Sequence, residues 1–502
     1  MTSQDSAVQT GPVKDPWPAL WALVLGFFMI MVDTTIVSVA TPAIIEDLHA
    51  EVNSVVWVTS AYLLAYAVPV LITGRLGDRF GPKNLYMIGL TVFTLASLWC
   101  GLSTSIEMLV VARIVQGLGA SMITPQTMAI ITRIFPAERR GQATSLWGAT
   151  AGVALLVGPL LGGILIDSLD WSWIFYVNVP VGIIGLVLAA RLVPKLPTHQ
   201  HHFDWLGVAL SGAGMFLLVF GLQEGHQYDW GTVTGFLTVP MLIAGGLVVL
   251  GLFVFWQSRN KAEPLVPLGL FADRNFSLAN LGIATVSFAF TALGFPLMLW
   301  AQLVRGLNPT HAALLLIPMA LMSILLAPGV GKLTDTVHPR NIVAVGFALL
   351  SAALLWLALG LAPDASYAVL LIPMALMGCG SACIWAPLTA TATRNLPMHL
   401  AGAGAGVYNA SRQIGAVLGS AAIAVLMDAR LSADLPKGVT FDPSKAAPGA
   451  KLPAFLHGPF SDAMGQALLV TPAVLLLGLA AALLLARPKA AAPGAAPVMV
   501  AD

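Results

Sequence analysis

The sequence predicts an all-α membrane protein with many spanning helices, and three observations support this fold class. Hydrophobic residues make up 58% of the 502 residues and charged residues only 9%, against about 25% charged residues in an ordinary globular domain. Long apolar stretches recur along the chain, and most Lys and Arg residues lie between them. Because so few charges cannot cover a surface in water, most of the exterior must face lipid.

Fourteen apolar stretches are long enough to cross a bilayer, since ~20 residues rising ~1.5 Å each span ~30 Å of hydrocarbon. An even number places both termini on the same side of the membrane. In chain order these predicted spans cover residues 17–41, 54–74, 84–103, 107–131, 141–166, 172–193, 205–223, 232–256, 276–303, 310–331, 341–361, 366–393, 402–428 and 463–486.

The basic residues predict the orientation, because cytoplasmic loops of membrane proteins carry an excess of Lys and Arg. With both termini in the cytoplasm, seventeen of the 24 Lys and Arg residues lie on the inner side. A net charge of +1 argues against a nucleic-acid partner, which would require a basic face. The three cysteines lie in apolar runs, so we expect no disulfide framework.

A short repeat divides the chain into two halves. Residues 74–83 (GRLGDRFGPK) follow the second span and residues 331–340 (GKLTDTVHPR) follow the tenth, at an offset of 331 − 74 = 257 residues. Parallel repeats around a central site build many secondary transporters. We therefore predict a cytoplasmic segment 1–16, an N-terminal six-helix bundle 17–193, a linker with two inserted helices 194–275, a C-terminal six-helix bundle 276–486 that includes an outer loop 429–462, and a disordered tail 487–502.

Several motifs carry a resemblance to a known family. Residues 74–83 match a loop signature GxLaDrxGrk, residues 113–120 (RIVQGLGA) match RxxqGxga, and residues 158–163 (GPLLGG) match GPxxGG. Residues 33–42 (DTTIVSVATP) resemble DxTIVnvALP, and residues 171–180 (WSWIFYVNVP) resemble WRWiFlINvP. Three residues depart from the patterns: Pro82 in the loop signature, Ala154 at the glycine upstream of GPxxGG, and Ser172 in place of Arg. The chain thus resembles the major facilitator superfamily, and within it the fourteen-span drug:proton antiporters of the EmrB/QacA type.

Asp33 and Arg113 are the candidate proton-coupling residues. An ionised side chain deep in a span costs on the order of 2.5–3.5 kcal/mol, so such residues pair or line a wet cavity. Helix rise places Asp33 about 12 Å and Arg113 about 9 Å below the outer face, so we expect them to approach each other. Burial favours the neutral acid and Arg113 favours the carboxylate. The resemblance implies that this pair exchanges a proton for substrate; the alternative is a permanent ion pair that only fixes helix packing.

Two groups of residues are candidates for gating. Glycines permit close helix approach, and a proline inside a helix removes one backbone donor. Asp78 can face the positive end of a neighbouring helix. The resemblance implies that the loop motif helps to hold an outward-open state and that the fifth span seals one end of the pathway. The candidates are Gly74, Asp78 and Arg79 of the loop, Asp335 of its repeat, and Gly158, Pro159, Gly162 and Gly163 of the fifth span.

The wall of a substrate cavity is assigned from layout alone, because aromatic and Met side chains offer an adaptable apolar surface. Arg412 lies about 15 Å deep with no carboxylate at a matching depth, and could contact backbone carbonyls, Gln413 or an anionic substrate. The assigned residues are Trp57, Tyr62, Tyr66, Gln116, Asn178, Met298, Trp300, Gln302 and Arg412.

The predicted function is proton-coupled efflux of small amphipathic compounds by alternating access, in a monomer in the bacterial cytoplasmic membrane. No GxxxxGK[ST] loop is present, so we expect an ion gradient to supply the energy without a cofactor. No cluster of catalytic residues is evident in the sequence, so we do not expect an enzyme. His199, His201 and His202 lack the further ligands of a metal site. The alternatives are a dedicated exporter of a lipid, siderophore or metabolite, and a transport-dead membrane sensor; coupling to sodium instead of protons also stays open.

Overall fold

The computed structural model describes residues 15–50, 52–136, 139–198, 204–225, 228, 230–260, 264–396, 400–434 and 452–486. Residues 1–14 of the predicted N-terminal segment lie outside the described residues. The predicted tail 487–502, the three histidines of the 194–204 linker and residues 435–451 of the predicted outer loop also lie outside them.

The first six predicted spans form eight helices, here called the N-terminal bundle. The second span is split: its two parts meet at an angle of 46°, and Pro69 precedes the second part, where its missing N–H weakens the helical ladder. The helices are α1 (Trp17–Asp47), α2 (Val52–Ala67), α3 (Val70–Phe80), α4 (Pro82–Gly101), α5 (Ile106–Ile134), α6 (Arg140–Ser168), α7 (Trp173–Tyr176) and α8 (Asn178–Leu192).

The rest of the chain forms an inserted hairpin and the C-terminal bundle. The inserted hairpin consists of α9 (Trp205–Glu224) and α10 (Val239–Arg259), joined by the strands β1 (Thr232–Thr234) and β2 (Leu237–Thr238). The C-terminal bundle consists of α11 (Arg274–Leu303), α12 (Pro309–Leu314), α13 (Ile317–Thr336), α14 (Pro339–Gly360), α15 (Tyr367–Arg394), α16 (Ala401–Asp434), α17 (His457–Leu468) and α18 (Val470–Leu483).

The helical membrane fold predicted from composition is confirmed, but the count of fourteen spans is not fully confirmed. Among the described residues, twelve helices are long and apolar enough to cross a membrane, and the bent pair of α2 and α3 would make thirteen. The remaining predicted span corresponds to α6, in which Val157–Ile166 forms a shorter apolar segment.

Two predicted boundaries were wrong. The span predicted at 232–256 begins with the β1–β2 hairpin, which turns at Gly235 with a φ of +54°, a conformation that glycine adopts without strain; α10 therefore starts at Val239. The outer loop predicted at 429–462 is shorter, because α16 continues to Asp434 and α17 already begins at His457.

The two bundles meet through a few helices. α3 and α5 of the N-terminal bundle pack on α16, while α6 packs on α13 and α15. The inserted hairpin touches both bundles, since α9 contacts α2 and α16. There Met215 and Val219 pack against Leu64 and Ala67. The faces of α2 and α16 therefore lie where the two halves and the inserted hairpin come together.

Asp204 ties the two helices of the inserted hairpin together at the start of α9. Its carboxylate accepts from the backbone N–H of Gly207 at 2.9 Å, from Trp256 Nε1 at 2.9 Å and from Gln257 Nε2 at 2.7 Å. Burial raises the pKa of Asp204, but these hydrogen bonds outweigh burial and hold the pKa below its ordinary value. Asp204 thus acts both as the N-cap of α9 and as a link to α10.

Candidate functional site

Asp33 and Arg113 form an ion pair inside the N-terminal bundle. Asp33 lies in α1 and Arg113 in α5, and Arg113 Nη1 donates to Asp33 Oδ2 at 2.6 Å. Both side chains are 0% exposed. The two residues are 80 positions apart in sequence, and they approach each other as the helix-rise calculation predicts.

Three polar side chains complete a buried polar cluster around this pair. Gln116 Nε2 donates to Asp33 Oδ1 at 2.9 Å, and Asn178 Nδ2 donates to the same oxygen at 3.0 Å. The amides of Gln116 and Asn178 also donate to Ser97 Oγ, at 3.0 and 2.9 Å. Every one of these contacts to Asp33 comes from a donor, which suits the carboxylate because an ionised carboxyl group only accepts.

Arg113 is held from several sides. Its Nε donates to the carbonyl of Val58 at 3.0 Å, and its Nη1 donates to Gln116 Oε1 at 2.6 Å. The guanidinium lies 4.0 Å from the centre of the Tyr62 ring and 5.7 Å from that of Phe175, within the range of a cation–π interaction. Tyr62, which the sequence assigns to the cavity wall, thus packs on the ion pair.

Asp78 of the loop motif joins the two bundles at the end of α3. Its carboxylate accepts from the backbone N–H groups of Gly402 at 3.0 Å and Ala403 at 2.9 Å, in the first turn of α16. Arg133 also binds Asp78, and Arg75 lies 3.9 Å from it. A carboxylate at a helix N-terminus satisfies free N–H groups and interacts favourably with the helix dipole.

The remaining loop candidates occupy different positions. Gly74 contacts α16 so closely that a Cβ there would lie 2.6 Å from the carbonyl oxygen of Gly402. Arg79 is exposed, with its guanidinium 5.2 Å from the Phe80 ring centre. Asp335 lies in α13, and its side chain is outside the described part of the chain.

The glycines of the fifth span pack on α1 beside Asp33. A Cβ at Gly158 would lie 1.9 Å from Thr35 Oγ1, and a Cβ at Gly162 would lie 2.8 Å from Ile36 Cγ1. Pro159 lies within α6, and Gly163 is half-buried in it. α1 is therefore in contact with α6 through these residues and with α5 through the ion pair.

The other residues assigned to the cavity wall separate into two groups. Tyr66 and Arg412 meet between the bundles, where Arg412 Nη2 donates to Tyr66 Oη at 2.9 Å. Trp57 is half-buried and faces Phe220 of the inserted hairpin, with ring centres 5.8 Å apart. The second group lies in α11: Met298 and Gln302 are half-buried, and Trp300 is 0% exposed and donates to Ser461 Oγ at 2.9 Å. This contact places Trp300 inside the C-terminal bundle and does not favour a place on a cavity wall.

Ser97 and Glu224 are buried polar residues that the sequence analysis did not single out. Ser97 is 0% exposed and binds two members of the buried polar cluster. Glu224, at the end of α9, is 2% exposed. Its carboxylate forms no ion pair in the described part of the chain, and the side chain of Ser60 interacts with it. The signal that could have found both is a polar residue within an apolar stretch. Among the described residues no group of three His, Cys, Asp or Glu side chains could hold a metal ion.

Comparisons with known proteins agree with the resemblance found in the motifs. A family model described as Major Facilitator Superfamily matches residues 23–420. An uncharacterized MFS-type transporter of Mycobacterium tuberculosis, Rv1250, is 53% identical over 97% of this chain and 84% of its own length. The tetracenomycin C resistance and export protein of Streptomyces glaucescens is 32% identical over 96% of this chain and 94% of its own. The human organic anion transporter MFSD10 has a TM-score of 0.65 over 93% of this chain and 99% of its own; at 12% identity this likeness shows the fold alone.

Proposed function

Because this chain belongs to the major facilitator superfamily, with relatives that include multidrug and antibiotic exporters, we propose that it exports small amphipathic compounds in exchange for protons. We place it in the bacterial cytoplasmic membrane with both termini in the cytoplasm. The observation that carries the proposal is the buried polar cluster, since an ionisable pair inside a membrane bundle marks a proton or substrate pathway.

Asp33 is the proposed proton carrier. In the described state its carboxylate has one guanidinium and two amide donors, so the ionised form is well satisfied. A rearrangement of α1 against α5 and α8 would remove these donors and leave a buried carboxylate, which burial drives to bind a proton. Arg113 can keep its bond to the carbonyl of Val58 and its contact with Tyr62 while Asp33 is neutral.

Asp78 and the glycines of the fifth span are the proposed gating elements. The described state holds α3 against the start of α16 through Asp78, and we infer that this contact closes the cytoplasmic side while the outer side opens. When the contact breaks, the backbone N–H groups of Gly402 and Ala403 lose the Asp78 carboxylate as their acceptor. The other state must therefore supply a different hydrogen-bond acceptor at the start of α16. Gly158 and Gly162 let α6 move in step with α1, the helix that carries Asp33.

Proton flux in liposomes tests the proposal. Purified protein is reconstituted with an internal pH dye, and cationic, neutral and anionic amphiphiles are added under an imposed pH gradient. We expect at least one compound to evoke proton movement in the wild type and none to do so in Asp33→Asn. Asp428→Asn is the matched control, because Asp428 is an exposed carboxylate on α16 and its loss should leave the flux unchanged.

Two outcomes would contradict the proposal. Substrate-evoked proton flux that survives in Asp33→Asn would remove Asp33 from coupling. A folded wild-type protein that gives no flux with any compound, but responds to a sodium gradient or moves a lipid, would support another coupling ion or a dedicated exporter instead.

A further inference from the structure

Arg412 lies in α16 at the meeting point of the two bundles, where its guanidinium contacts a tyrosine hydroxyl. Its Nη2 donates to Tyr66 Oη of α2, and the same hydroxyl lies 2.9 Å from Thr124 Oγ1 of α5. One turn before Arg412, the Tyr408 hydroxyl lies 3.0 Å from Thr389 Oγ1 of α15. Four helices from both bundles therefore bring hydroxyls to the region of one guanidinium.

The charge of Arg412 has no counter-ion in the part of the chain that the structure describes. The ion pairs found there are Arg113 with Asp33 and Arg133 and Arg75 with Asp78. Arg412 Nε is buried and has no hydrogen-bond partner among the described residues. A hydroxyl can accept a hydrogen bond, but it cannot neutralise a cation. Arg412 thus differs from Arg113, whose charge is balanced within its own bundle.

We propose that Arg412 binds the anionic group of an amphipathic substrate, a carboxylate, sulfonate or phosphate, with the Tyr66 hydroxyl as a second donor. The inference rests on the proposed function, which passes the substrate between the two bundles. An intramembrane cation without a counter-ion is costly and persists where it serves binding. The planar guanidinium presents Nε and one Nη as a fork that matches two oxygens of an anion, and Nε is the arm left without a partner.

The anion site and the proton site lie along one helix. The Tyr66 ring centre is 6.2 Å from that of Tyr62. The Arg113 guanidinium lies 4.0 Å from the Tyr62 ring centre. Both tyrosines belong to α2. An anion that draws Tyr66 or Arg412 to a new position would therefore act on the helix that also packs against the ion pair of Asp33.

Binding of two matched probes tests the proposal without relying on transport. The full chain in nanodiscs of zwitterionic lipid is titrated with 1-pyrenebutyrate and with 1-pyrenebutylamine, and energy transfer from its 13 tryptophans to pyrene reports binding. We expect the wild type to prefer the carboxylate. Arg412→Gln should weaken carboxylate binding roughly tenfold or more and leave amine binding unchanged, while Arg412→Lys should lose less.

Arg430→Gln is the matched control, because Arg430 is an exposed arginine on the same helix and its replacement removes the same charge. It should bind both probes as the wild type does. Elution of every variant as a single species in size-exclusion chromatography separates loss of binding from loss of folding. The proposal is overturned by a wild type that does not bind the carboxylate or that prefers the amine, or by Arg412→Gln with unchanged carboxylate affinity.

Two further measurements distinguish a failure of the anion site from a failure of the proposed proton coupling and identify the source of the anion. Asp33→Asn should still prefer the carboxylate probe to the amine while losing coupled proton flux, so a failure of proton coupling leaves the preference for the anion intact. Phosphatidylglycerol in the nanodiscs should not displace the probe if the ligand is a dissolved solute. Displacement from the wild type by this lipid would still support the anion site and would identify a lipid headgroup as its occupant.

Discussion

Replacement of Arg113 by methionine gives the sharpest test of the ion pair. Methionine keeps a long flexible side chain but removes the charge that binds Asp33. Gln116 and Asn178 still donate to the carboxylate, yet amide donors supply no counter-charge. The variant therefore leaves Asp33 as a buried carboxylate, with the carbonyl of Val58 also deprived of the Arg113 donor.

Breaking a buried ion pair by removing one partner destabilises a protein by about 3–5 kcal/mol. The lost cation–π contact with Tyr62, of the order of 2 kcal/mol for a desolvated pair, is part of the same change and does not add in full. We therefore expect Arg113→Met to lower the free energy of unfolding by about 3–5 kcal/mol. The double variant Asp33→Asn/Arg113→Met has no buried charge at this site, so it should lose about 1–3 kcal/mol less than the sum of the two single variants.

Unfolding by SDS in mixed micelles, followed by tryptophan fluorescence, measures these differences. Arg430→Met, an exposed replacement on α16, should stay within about 0.5 kcal/mol of the wild type. Equal stability of Arg113→Met and the wild type, or strict additivity in the double variant, would refute the reasoning.

Three further predictions concern other parts of the chain. Gly158→Ala should reduce transport in folded protein, because its Cβ would meet Thr35; Gly294→Ala, whose Cβ would meet nothing within 4 Å, should transport normally, and equal rates would contradict this. Asp204→Ala should lose about 1–2 kcal/mol of unfolding free energy at pH 7. Because folding lowers the pKa of Asp204, the stability difference between the wild type and this variant should persist above about pH 4. It should vanish as the pH falls through the lowered pKa. Glu224→Gln should keep or raise stability, because the buried carboxylate has no ion-pair partner among the described residues and a neutral amide can still accept a hydrogen bond from Ser60; a loss above about 1 kcal/mol in the same assay would disprove it.

Depth along a spanning helix could be predicted from the sequence, and depth explains the success with Asp33 and Arg113. Helix rise is constant and both residues lie in long apolar stretches, so their distances from the outer face follow from counting. The direction in which a side chain points around its helix could not be counted in this way. Gln116 and Asn178 were assigned to the cavity wall and instead donate to Asp33, because α5 and α8 turn these faces towards α1.

The positions of the spans could be predicted from the sequence, but their ends could not. Composition and hydropathy located the membrane helices, but the split of the second span and the late start of α10 depend on local backbone features. Pro69 removes a backbone donor at the bend, and the turn at Gly235 allows a short hairpin. An apolar stretch by itself carries little information about whether one helix or two segments fill it.

The sequence by itself determined the helical membrane fold, the family and the approach of the ionisable pair, because these follow from composition, motifs and the constant rise of a helix. Only the tertiary structure decided that Ser97, Gln116 and Asn178 surround Asp33, that Asp78 reaches the first turn of α16, and that Arg412 meets Tyr66 and forms no ion pair with any described residue. These contacts join residues up to 346 positions apart, and each depends on the rotation and close approach of whole helices, which local sequence patterns do not specify.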